Sequence, residues 1–338
     1  MIYNKTAIVT GCTGQDGSYL SEFLLEQDYR VIGVARRSMR DNNYLVECLD
    51  NPNFELYIMD ITDSSGVRNL VRDIQPDEFY NLAAMSHVGQ SFKEPLSTVS
   101  IDGLAVVGIL EAIRHECASC KLYQASSSEV FGTQVNVDKD GKCYQNENTP
   151  MIPRSPYGAA KLLAHNTIRI YREAYGLFVC AGILHNHESM RRGKDFVTRK
   201  ITDGIARIKY GLQTTIKLGN LEPYRDFGYA PDYVQAMHMM LQQDSPDDFV
   251  IATGDATSIR EILQIACDLT NLCFEDVYEV DERFMRPAEI MYLRGDASKA
   301  NTVLGWQPNT PLKVWLGDMV AYDMYLVSKD LESKSTSV

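Results

Sequence analysis

The 338-residue sequence has no run of eighteen apolar residues, no internal repeat and no low-complexity stretch, so we expect no transmembrane helix and no solenoid or propeller. Positive charge is also scarce, since 33 Lys and Arg face 45 Asp and Glu and leave a net charge of −12. Such a chain has no general attraction for nucleic-acid phosphates. We therefore expect a small anionic ligand, no nucleic-acid or membrane partner, and a cytoplasmic location.

The eight cysteines follow no framework spacing, and the single close pair is Cys117 and Cys120. A zinc site would need a second pair or histidines at ligand spacing. His185 and His187 likewise lack a cysteine or carboxylate partner at a convincing distance. We expect reduced, mostly buried cysteines and no bound metal.

Short apolar segments alternate with segments of helical periodicity over the first half of the chain. The predicted strands are 6–10, 30–34, 54–59, 78–82, 121–125 and 178–184, and the predicted helices are 18–27, 64–74, 98–114 and 156–175. This rhythm is typical of an α/β fold with a doubly wound parallel Rossmann sheet. We expect this domain over 1–184 with a return segment at 226–253, a smaller mixed α/β substrate-binding lobe over 185–330, and a flexible tail over 331–338.

A glycine-rich turn follows the first strand and opens the first helix. Glycines at this place allow a tight turn, let a pyrophosphate approach the backbone, and point the helix N-terminus at it. A lone glycine triplet is weak evidence, but here strand, turn, helix and second strand come in order. The residues expected to bind a dinucleotide here are Gly11, Thr13, Gly14, Gln15, Asp16 and Gly17.

The end of the second strand carries Arg36, Arg37 and Ser38, where enzymes that use NAD carry an acidic residue. Two guanidinium groups and a hydroxyl suit a ribose phosphate, which favours NADP over NAD. Asp60 and Ile61 would lie beside the adenine. The residues expected near the phosphates and the nicotinamide ribose are Leu82, Ala83, Ala84 and Ser86.

Tyr157 and Lys161 lie one helical turn apart on the same helix face and form a candidate acid/base pair. We expect the lysine to lower the pKa of the tyrosine and to grip the nicotinamide ribose. Ser127 and Glu129 follow an apolar strand, at the sheet edge where ligands of such folds bind. Ser127 would bond the substrate hydroxyl and Glu129 would act as an acid or base, although both could instead cap the next helix.

Further polar residues could hold a substrate diphosphate and base. The segment 186–193 is a polar, loop-like stretch at the boundary of the two lobes. Several charged residues farther along the chain are further candidates. Each of them, taken alone, is equally consistent with a surface ion pair. The candidate substrate-binding residues are Ser86, Ser128, Asn186, Lys200, Arg225, Arg286 and Glu289.

Together these residues resemble the extended short-chain dehydrogenase/reductase superfamily and, within it, the GDP-mannose 4,6-dehydratase family over nearly the whole chain. The motifs that carry the resemblance are 13–20 (TGQDGSYL), 36–38 (RRS), 80–84 (YNLAA), 86–88 (SHV), 153–157 (PRSPY), 186–189 (NHES), 191–193 (RRG), 196–201 (FVTRKI) and 225–226 (RD).

The resemblance implies an internal redox cycle with no net oxidation. Tyr157, helped by Lys161 and Ser127, would take the C4 hydroxyl proton of a GDP-sugar while hydride passes to NADP. Glu129 would remove the C5 proton as water leaves C6, to which the hydride returns. The resemblance further implies that His187 and Arg192 contact the cofactor and that the Arg36–Arg37 loop lies near a subunit interface, as in a homotetramer.

Some positions depart from the family pattern. Ser127 stands where threonine is usual, His185 where phenylalanine is usual, Met190 where proline is usual, and Ser97 where tyrosine is usual. The exact sugar therefore stays open, with a GDP-heptose as an alternative substrate. A sugar-nucleotide epimerase, a 4-ketoreductase and a non-catalytic NADP-sensing protein are the remaining alternatives, and Glu129 together with the Tyr157–Lys161 pair argues against them.

Overall fold

The computed structural model describes residues 4–36, 43–285 and 288–335. Its strands, in chain order, are β1 (Lys5–Thr10), β2 (Tyr29–Ala35), β3 (Phe54–Ile58), β4 (Glu78–Asn81), β5 (Lys121–Ala125), β6 (Asn136–Val137), β7 (Cys143–Tyr144), β8 (Val179–Leu184), β9 (Asn186–Glu188), β10 (Ile216–Leu218), β11 (Tyr224–Tyr229), β12 (Phe249–Ile251), β13 (Ala256–Ser258), β14 (Tyr278–Val280) and β15 (Tyr292–Leu293). Its helices are α1 (Gln15–Glu26), α2 (Val46–Leu49), α3 (Ser64–Ile74), α4 (Val88–Ser91), α5 (Pro95–Val99), α6 (Ala105–Glu116), α7 (Pro156–Tyr175), α8 (Val197–Lys209), α9 (Ala230–Leu241), α10 (Ile259–Thr270) and α11 (Leu312–Ser335).

Seven strands form one sheet in the order β12-β8-β5-β4-β1-β2-β3, and every neighbouring pair is parallel. The order reverses beside β1, as in a doubly wound fold. The predicted α/β class with a parallel Rossmann sheet is confirmed. All seven carboxyl ends therefore meet at a single edge of the sheet.

Helices cover both faces of this sheet. On one face, α1 and α9 pack on apolar residues of β1, β2 and β12, with Trp306 completing the layer. On the other face, α3, α6 and α7 pack on Ile8, Ile32 and Leu122. Burial on both faces explains why these strands read as continuous apolar runs rather than alternating ones.

A second group of elements follows β8. The strands β9, β11, β13 and β15 form a small mixed sheet, and β10 pairs with β14. Helices α8, α10 and α11 close over an apolar core that includes Ile205, Ile262 and the fully buried Trp315. The second group thus has a core of its own.

Several boundaries differ from the sequence predictions. Residues 186–188, expected in a loop, form β9 because their backbone pairs with β11. The sequence predicts a return segment over 226–253. Its first residues belong instead to β11 in the small sheet, and the chain returns to the large sheet only at α9 and β12. Helix α11 runs to Ser335, so residues 331–335 are helical rather than a loose tail, and 336–338 lie outside the described residues.

One helical stretch, Pro95–Glu116, is long and apolar enough to cross a membrane by length and composition, and half of its most apolar window is buried. It comprises α5, a π-helical turn at Ser100–Leu104, and α6. Core helices of soluble proteins meet the same criterion, so this finding is weak evidence for a membrane span.

Gly11 marks the closest approach of the glycine-rich turn to the neighbouring strand. Its φ is +68°, and a Cβ atom there would lie 2.9 Å from the Cα and N atoms of Ala83. Gly176, which ends α7, has a similar φ of +66° but faces open space. Both positions favour glycine for its backbone, and Gly11 additionally has no room for a side chain.

We expect Gly11→Ala to destabilise the fold clearly more than Gly176→Ala. Gly176→Ala is the control, and it carries only the cost of an alanine in the left-handed backbone conformation, about 1–2 kcal/mol. Gly11→Ala carries the same cost, and overpacking against Ala83 adds about 1–3 kcal/mol. Chemical denaturation of both variants measures the difference. Equal losses would show that the turn can move away from Ala83.

Candidate active site

The glycine-rich turn at the end of β1 forms an open cradle. Helix α1 begins after Gly14, which supplies no side-chain cap to the first backbone N–H groups. A Cβ on Gly17 would lie 2.2 Å from the carbonyl oxygen of Gly11, so the helix packs directly on the turn. Uncapped N–H groups at a helix N-terminus, beside glycines that keep the backbone bare, suit an anionic diphosphate.

Side chains of this turn reach across to β9 and the segment after it. Gln15 donates its Nε2 to the carbonyl oxygen of His187 at 3.1 Å, and its Oε1 accepts from the Ser189 hydroxyl at 2.8 Å. Asp16 Oδ2 lies 2.8 Å from His187 Nε2. Strand β9 and the start of α1 are therefore fixed against each other, 172 positions apart in the chain.

His187 is geometrically an imidazolium. Its Nδ1 lies 2.8 Å from the carbonyl oxygen of His185 and its Nε2 faces the Asp16 carboxylate, so both nitrogens meet acceptors and both must donate. Burial alone would lower the pKa of His187, but Asp16 raises it above its usual value. Burial likewise opposes ionisation of Asp16, and the pairing with His187 nevertheless lowers its pKa. Tyr233 stacks on the imidazole with ring centroids 4.6 Å apart.

The adenosine end predicted from the sequence is described in part. Arg36 is exposed at the end of β2, and its charge helps to lower the pKa of Asp60, after the larger effect of hydrogen bonds from Thr62. Ile61 is buried beside it. Arg37 and Ser38 lie outside the described residues. The structure thus brings a guanidinium and a carboxylate together at the ends of β2 and β3.

The segment after β4 continues the same edge. The backbone N–H groups of Leu82 and Ala83 donate to the Thr10 hydroxyl at 3.1 and 3.2 Å, which holds this segment, with Ala84 following, against β1. Beyond it, a cavity of about 160 Å³ opens between this segment and the start of α8. Its lining residues are Met85, Ser86, His87, Gln90 and Phe196.

Tyr157 and Lys161 lie on one face of α7 because they are four residues apart, and a local cap fixes where this helix begins. Ser155 caps the helix by accepting from the N–H of Gly158 at 3.0 Å, and Pro156 occupies the first turn. Lys161 is 2% exposed and its Nζ donates to the carbonyl oxygen of Ala125 at 2.9 Å. That nitrogen lies 5.7 Å from the centroid of the Tyr157 ring.

The expected lowering of the Tyr157 pKa by Lys161 is wrong for this arrangement. Burial raises the pKa of Tyr157 well above its usual value, and Asp102 and Glu129 raise it further. A hydrogen bond with Ser127 and the charge of Arg192 oppose this rise. Burial also lowers the pKa of Lys161, and the charges of Asp102 and Asp16 oppose that shift.

Ser127 and Glu129 lie on the same side of the sheet as the phenol. Ser127 begins a 3₁₀ turn, Ser128–Val130, and its hydroxyl accepts from the N–H of Glu129 at 3.3 Å while it also bonds with Tyr157. The Ser127 hydroxyl therefore caps the turn and also lies within hydrogen-bonding distance of the phenol. Ser128 and Glu129 are buried, and the charge of Glu129 acts on Tyr157. A carboxyl, a hydroxyl and a phenol converge at this edge.

Asp102 is a member of the site that the sequence analysis missed. It lies in the π-helical turn between α5 and α6 and is 1% exposed. Its Oδ1 accepts from the N–H of Met85 at 2.7 Å, while its Oδ2 is buried without a hydrogen-bond partner among the described residues. Burial raises its pKa and Lys161 counteracts that rise. An acidic residue within an otherwise apolar helix was the available signal.

Arg192 and Glu188 lie beside these groups. Arg192 Nε is 3.2 Å from Glu188 Oε2, and its guanidinium stacks 3.7 Å from the Phe196 ring centroid. Burial raises the pKa of Glu188, and Arg192 together with a hydrogen bond from Thr198 opposes it. Asn186 is half-buried at the start of β9. The 186–193 segment therefore places a guanidinium and a carboxylate beside these groups.

The remaining substrate candidates lie in the second group of elements. Arg225 is buried and its Nη2 donates to Glu289 Oε1 at 2.9 Å. Lys200 is held over the ring of Phe284 at 3.2 Å, and burial lowers its pKa. Arg286 lies outside the described residues. Arg225 and Glu289 thus form one pair, and Lys200 stands apart from them.

Within the described ranges, no three His, Cys, Asp or Glu side chains are grouped as a metal ion would require. All eight cysteines are unpaired and six are buried, Cys117 and Cys120 among them. The histidines at 185 and 187 point to different surroundings, since His187 pairs with Asp16 and His185 packs near Phe131.

The parallel sheet, the glycine-rich cradle and the Tyr157–Lys161 pair together define an extended short-chain dehydrogenase/reductase. The comparisons with known proteins narrow this class. A model of the GDP-mannose 4,6 dehydratase family matches residues 8–319. The chain is 47% identical over 337 residues to GDP-mannose 4,6 dehydratase 2 of Arabidopsis thaliana, covering 96% of this chain and 88% of that protein. It is 43% identical over 355 residues to the GDP-mannose 4,6-dehydratase of Yersinia enterocolitica, covering 95% and 94%. The chain belongs to the GDP-mannose 4,6-dehydratase family.

Solved structures agree on the fold. The UDP-glucose 4-epimerase of Thermotoga maritima superposes with a TM-score of 0.82 at 25% identity, covering 95% of this chain and 99% of that one. The dTDP-glucose 4,6-dehydratase of Bacillus anthracis, solved with NAD, gives 0.82 at 20% identity, covering 97% and 98%. The same fold therefore accommodates epimerases and dehydratases.

We expect the Asp16–His187 pair to stabilise the protein most at mildly acidic pH. The raised pKa of His187 gives stability that is fully present below the ordinary value of 6.5 and lost as pH rises through the raised one. The lowered pKa of Asp16 gives stability that is present above 3.8 and lost as pH falls. The window therefore lies between these values, and the loss in His187→Gln should be about 2 kcal/mol there.

Denaturation of the wild type and His187→Gln from pH 5 to pH 9 tests this window. The difference between them should shrink toward pH 9. His238→Gln is the matched control, because burial lowers the pKa of His238 instead of raising it. A His187→Gln deficit that stays constant with pH would mean that the pair is not ionic.

Proposed function

We propose that the chain is an NADP-dependent GDP-mannose 4,6-dehydratase, a hydro-lyase that converts GDP-mannose to GDP-4-keto-6-deoxymannose. The observation that supports this best is the convergence of Glu129 with Tyr157, because the carboxylate acts on the phenol across one buried pocket. Oxidation at C4 needs the phenol, and elimination of water needs a second acid/base group beside it.

The residues of the β1–α1 turn fit a nicotinamide dinucleotide. Gly11 and Gly17 leave no space for a Cβ, and the N-terminus of α1 is free of a side-chain cap. Arg36, with Arg37 and Ser38 after it in sequence, favours the phosphorylated cofactor. We propose that the remaining cofactor contacts are Thr13, Gly14, Gln15, Asp16, Asp60, Ile61, Leu82, Ala83, Ala84, Ser86, Tyr157, Lys161, His187 and Arg192.

In this proposal NADP, when bound, accepts hydride from C4 of the sugar and returns it to C6. Tyr157 takes the proton of the C4 hydroxyl, and Ser127 holds that hydroxyl through its own hydrogen bond. The C4 ketone acidifies the C5 hydrogen, which Glu129 removes as a proton. The hydroxyl at C6 leaves as water when Glu129 donates that same proton to it. The proton held by Tyr157 would then be delivered to C5 as hydride returns to C6, which restores both residues.

The raised pKa of Tyr157 constrains the first step. A buried phenol holds its proton firmly, so the charges around it decide when it can act as a base. Arg192 favours the phenolate, while Asp102 and Glu129 oppose it.

We assign the sugar nucleotide to residues 185–330 and the cofactor to 1–184 with the return at α9 and β12. Ser86, Ser128, Asn186, Lys200, Arg225, Arg286 and Glu289 are the proposed substrate contacts. Arg225 suits a phosphate, because its guanidinium is already oriented by Glu289. The unpaired cysteines fit a reducing compartment such as the cytoplasm.

Glu129→Gln should leave oxidation at C4 intact and block elimination, so reduced cofactor accumulates after mixing with GDP-mannose. Tyr157→Phe should prevent the first hydride transfer. We expect turnover to fall by at least about 100-fold in both variants, but only Glu129→Gln should show a stable absorbance of reduced nicotinamide in stopped-flow measurements.

The wild type should form the 4-keto sugar, followed by NMR, without consuming added NADPH. Ser126→Ala, a conservative change at a buried residue beside the same turn and outside the proposed contacts, controls for local disturbance. Stoichiometric NADPH use would contradict a dehydratase in favour of a ketoreductase. Full turnover of either variant would remove that residue from its proposed role.

We also propose that the chain is a homo-oligomer, dimer or tetramer. Helices α5 and α7 and the π-helical turn between α5 and α6 present apolar side chains to the outside, with Leu96 86%, Ile170 52% and Leu104 57% exposed. Adjacent exposed apolar side chains of this kind are typical of an interface. A second copy would bury the same faces about a two-fold axis.

Ile170→Glu should weaken self-association, because a charge would be buried in the interface. Light scattering after size-exclusion chromatography measures the mass of the wild type and of the variant. Leu212→Glu, at a 47% exposed position beyond α8, is the matched control. A monomeric wild type at micromolar concentration would contradict the proposal.

A further inference from the structure

The most deeply buried ion pair of the described chain joins α8 to the final helix. Arg199 and Asp323 are 1% and 0% exposed. Arg199 Nε donates to both carboxylate oxygens at 2.9 and 2.8 Å, and Nη2 lies 2.7 Å from Oδ1. The Thr202 hydroxyl adds a further bond to the carboxylate at 2.6 Å. The carboxylate therefore fixes the direction of the guanidinium.

The opposite side of the same guanidinium holds a loop. Arg199 Nη1 donates to the carbonyl oxygen of Arg192 at 3.1 Å and to that of Met190. These two carbonyls flank Arg191, so one side chain fixes three consecutive residues. An ion pair that served packing alone would not need donors on this second side.

The loop residues held in this way face the proposed cofactor site. Arg191 docks on α1, where it donates to Ser18 at 3.0 Å and Glu22 at 2.7 Å and stacks on the Tyr19 ring. Arg192 stacks on Phe196, which lines the cavity below Ser86. Its charge acts on Asp16 in the glycine-rich turn and on Tyr157.

We propose that Arg199, oriented by Asp323, is a positioning residue that holds Arg192 in the cofactor site, so that nicotinamide dinucleotide affinity depends on the docking of the final helix α11. Arg199 itself touches neither cofactor nor substrate in this proposal. The inference builds on the proposed function, because it assumes that the dinucleotide binds beside Arg192.

Arg199→Lys separates positioning from packing. An ammonium can keep the ion pair with Asp323, but a single nitrogen cannot also reach two carbonyl oxygens as the planar guanidinium does. We expect the dissociation constant for NADP, measured by calorimetry on cofactor-free protein, to rise about tenfold or more, because the loop loses charge-assisted hydrogen bonds.

Arg207→Lys is the matched control. It is the same substitution on the same helix, two turns away, where Arg207 pairs with Asp203 at 2.7 Å and does not contact the loop. Its dissociation constant should stay within about twofold of the wild type. Thermal unfolding of all variants is measured in parallel, and Arg199→Lys should lose affinity out of proportion to any change in midpoint.

The double variant Arg199→Met with Asp323→Leu guards against a trivial loss of folding, since apolar replacements can substitute for a buried ion pair. It should unfold near the wild-type midpoint and still bind NADP weakly. In an Arg192→Ala background, Arg199→Lys should have little further effect on affinity, because both changes remove the same interaction.

Three results would overturn the inference. NADP binding by Arg199→Lys or the double variant with wild-type affinity would make the pair purely structural. Full additivity with Arg192→Ala would mean that Arg199 acts through another group. A wild type that binds neither NADP nor NAD would instead refute the proposed function and the inference with it.

Discussion

Compensation of buried charge is the constraint on which the rest of the site depends. Asp16 is neutralised by His187 across the gap between α1 and β9, and Asp102 faces Lys161 from the neighbouring helix. In such surroundings a charge left without its partner costs several kcal/mol, so no member can be removed without affecting the others. The glycine-rich turn, helix α7 and the segment after β8 are consequently fixed relative to one another, although they come from distant parts of the chain.

The fold was predictable because its signals are local. Apolar runs of strand length, glycine at the first turn, and a serine before Pro156 each act within a few residues, and helices α3 and α7 have the predicted boundaries. The start of α1 was missed by three residues, since Gly14 gives no capping signal before Gln15. The approach of Gly11 to Ala83 also follows once β1 and β4 are neighbours in the sheet.

What could not be predicted depends on contacts between distant segments. Strand β9 exists because β11 pairs with it from 41 residues away, and polar residues 186–188 give no strand pattern of their own. Asp102 enters the site only because a π-helical turn and α7 bring it there. The pKa of Tyr157 is raised because the effect of burial outweighs that of the nearby cation. Burial cannot be read from the spacing within α7, which shows only that Lys161 and the phenol share a helix face.

Chemistry in this superfamily cannot be inferred from the fold, since an epimerase and a dehydratase superpose on the chain equally well, each with a TM-score of 0.82. A 4-epimerase removes hydride from C4 and returns it to C4, so a phenol and a nicotinamide suffice. Elimination of water across C5 and C6 also needs a group that takes a proton from carbon and delivers one to oxygen. We propose Glu129, which is buried two residues after Ser127 and acts on Tyr157 through its charge, for this second requirement. On this proposal, a single carboxyl group after the end of β5 distinguishes the two reactions on one scaffold.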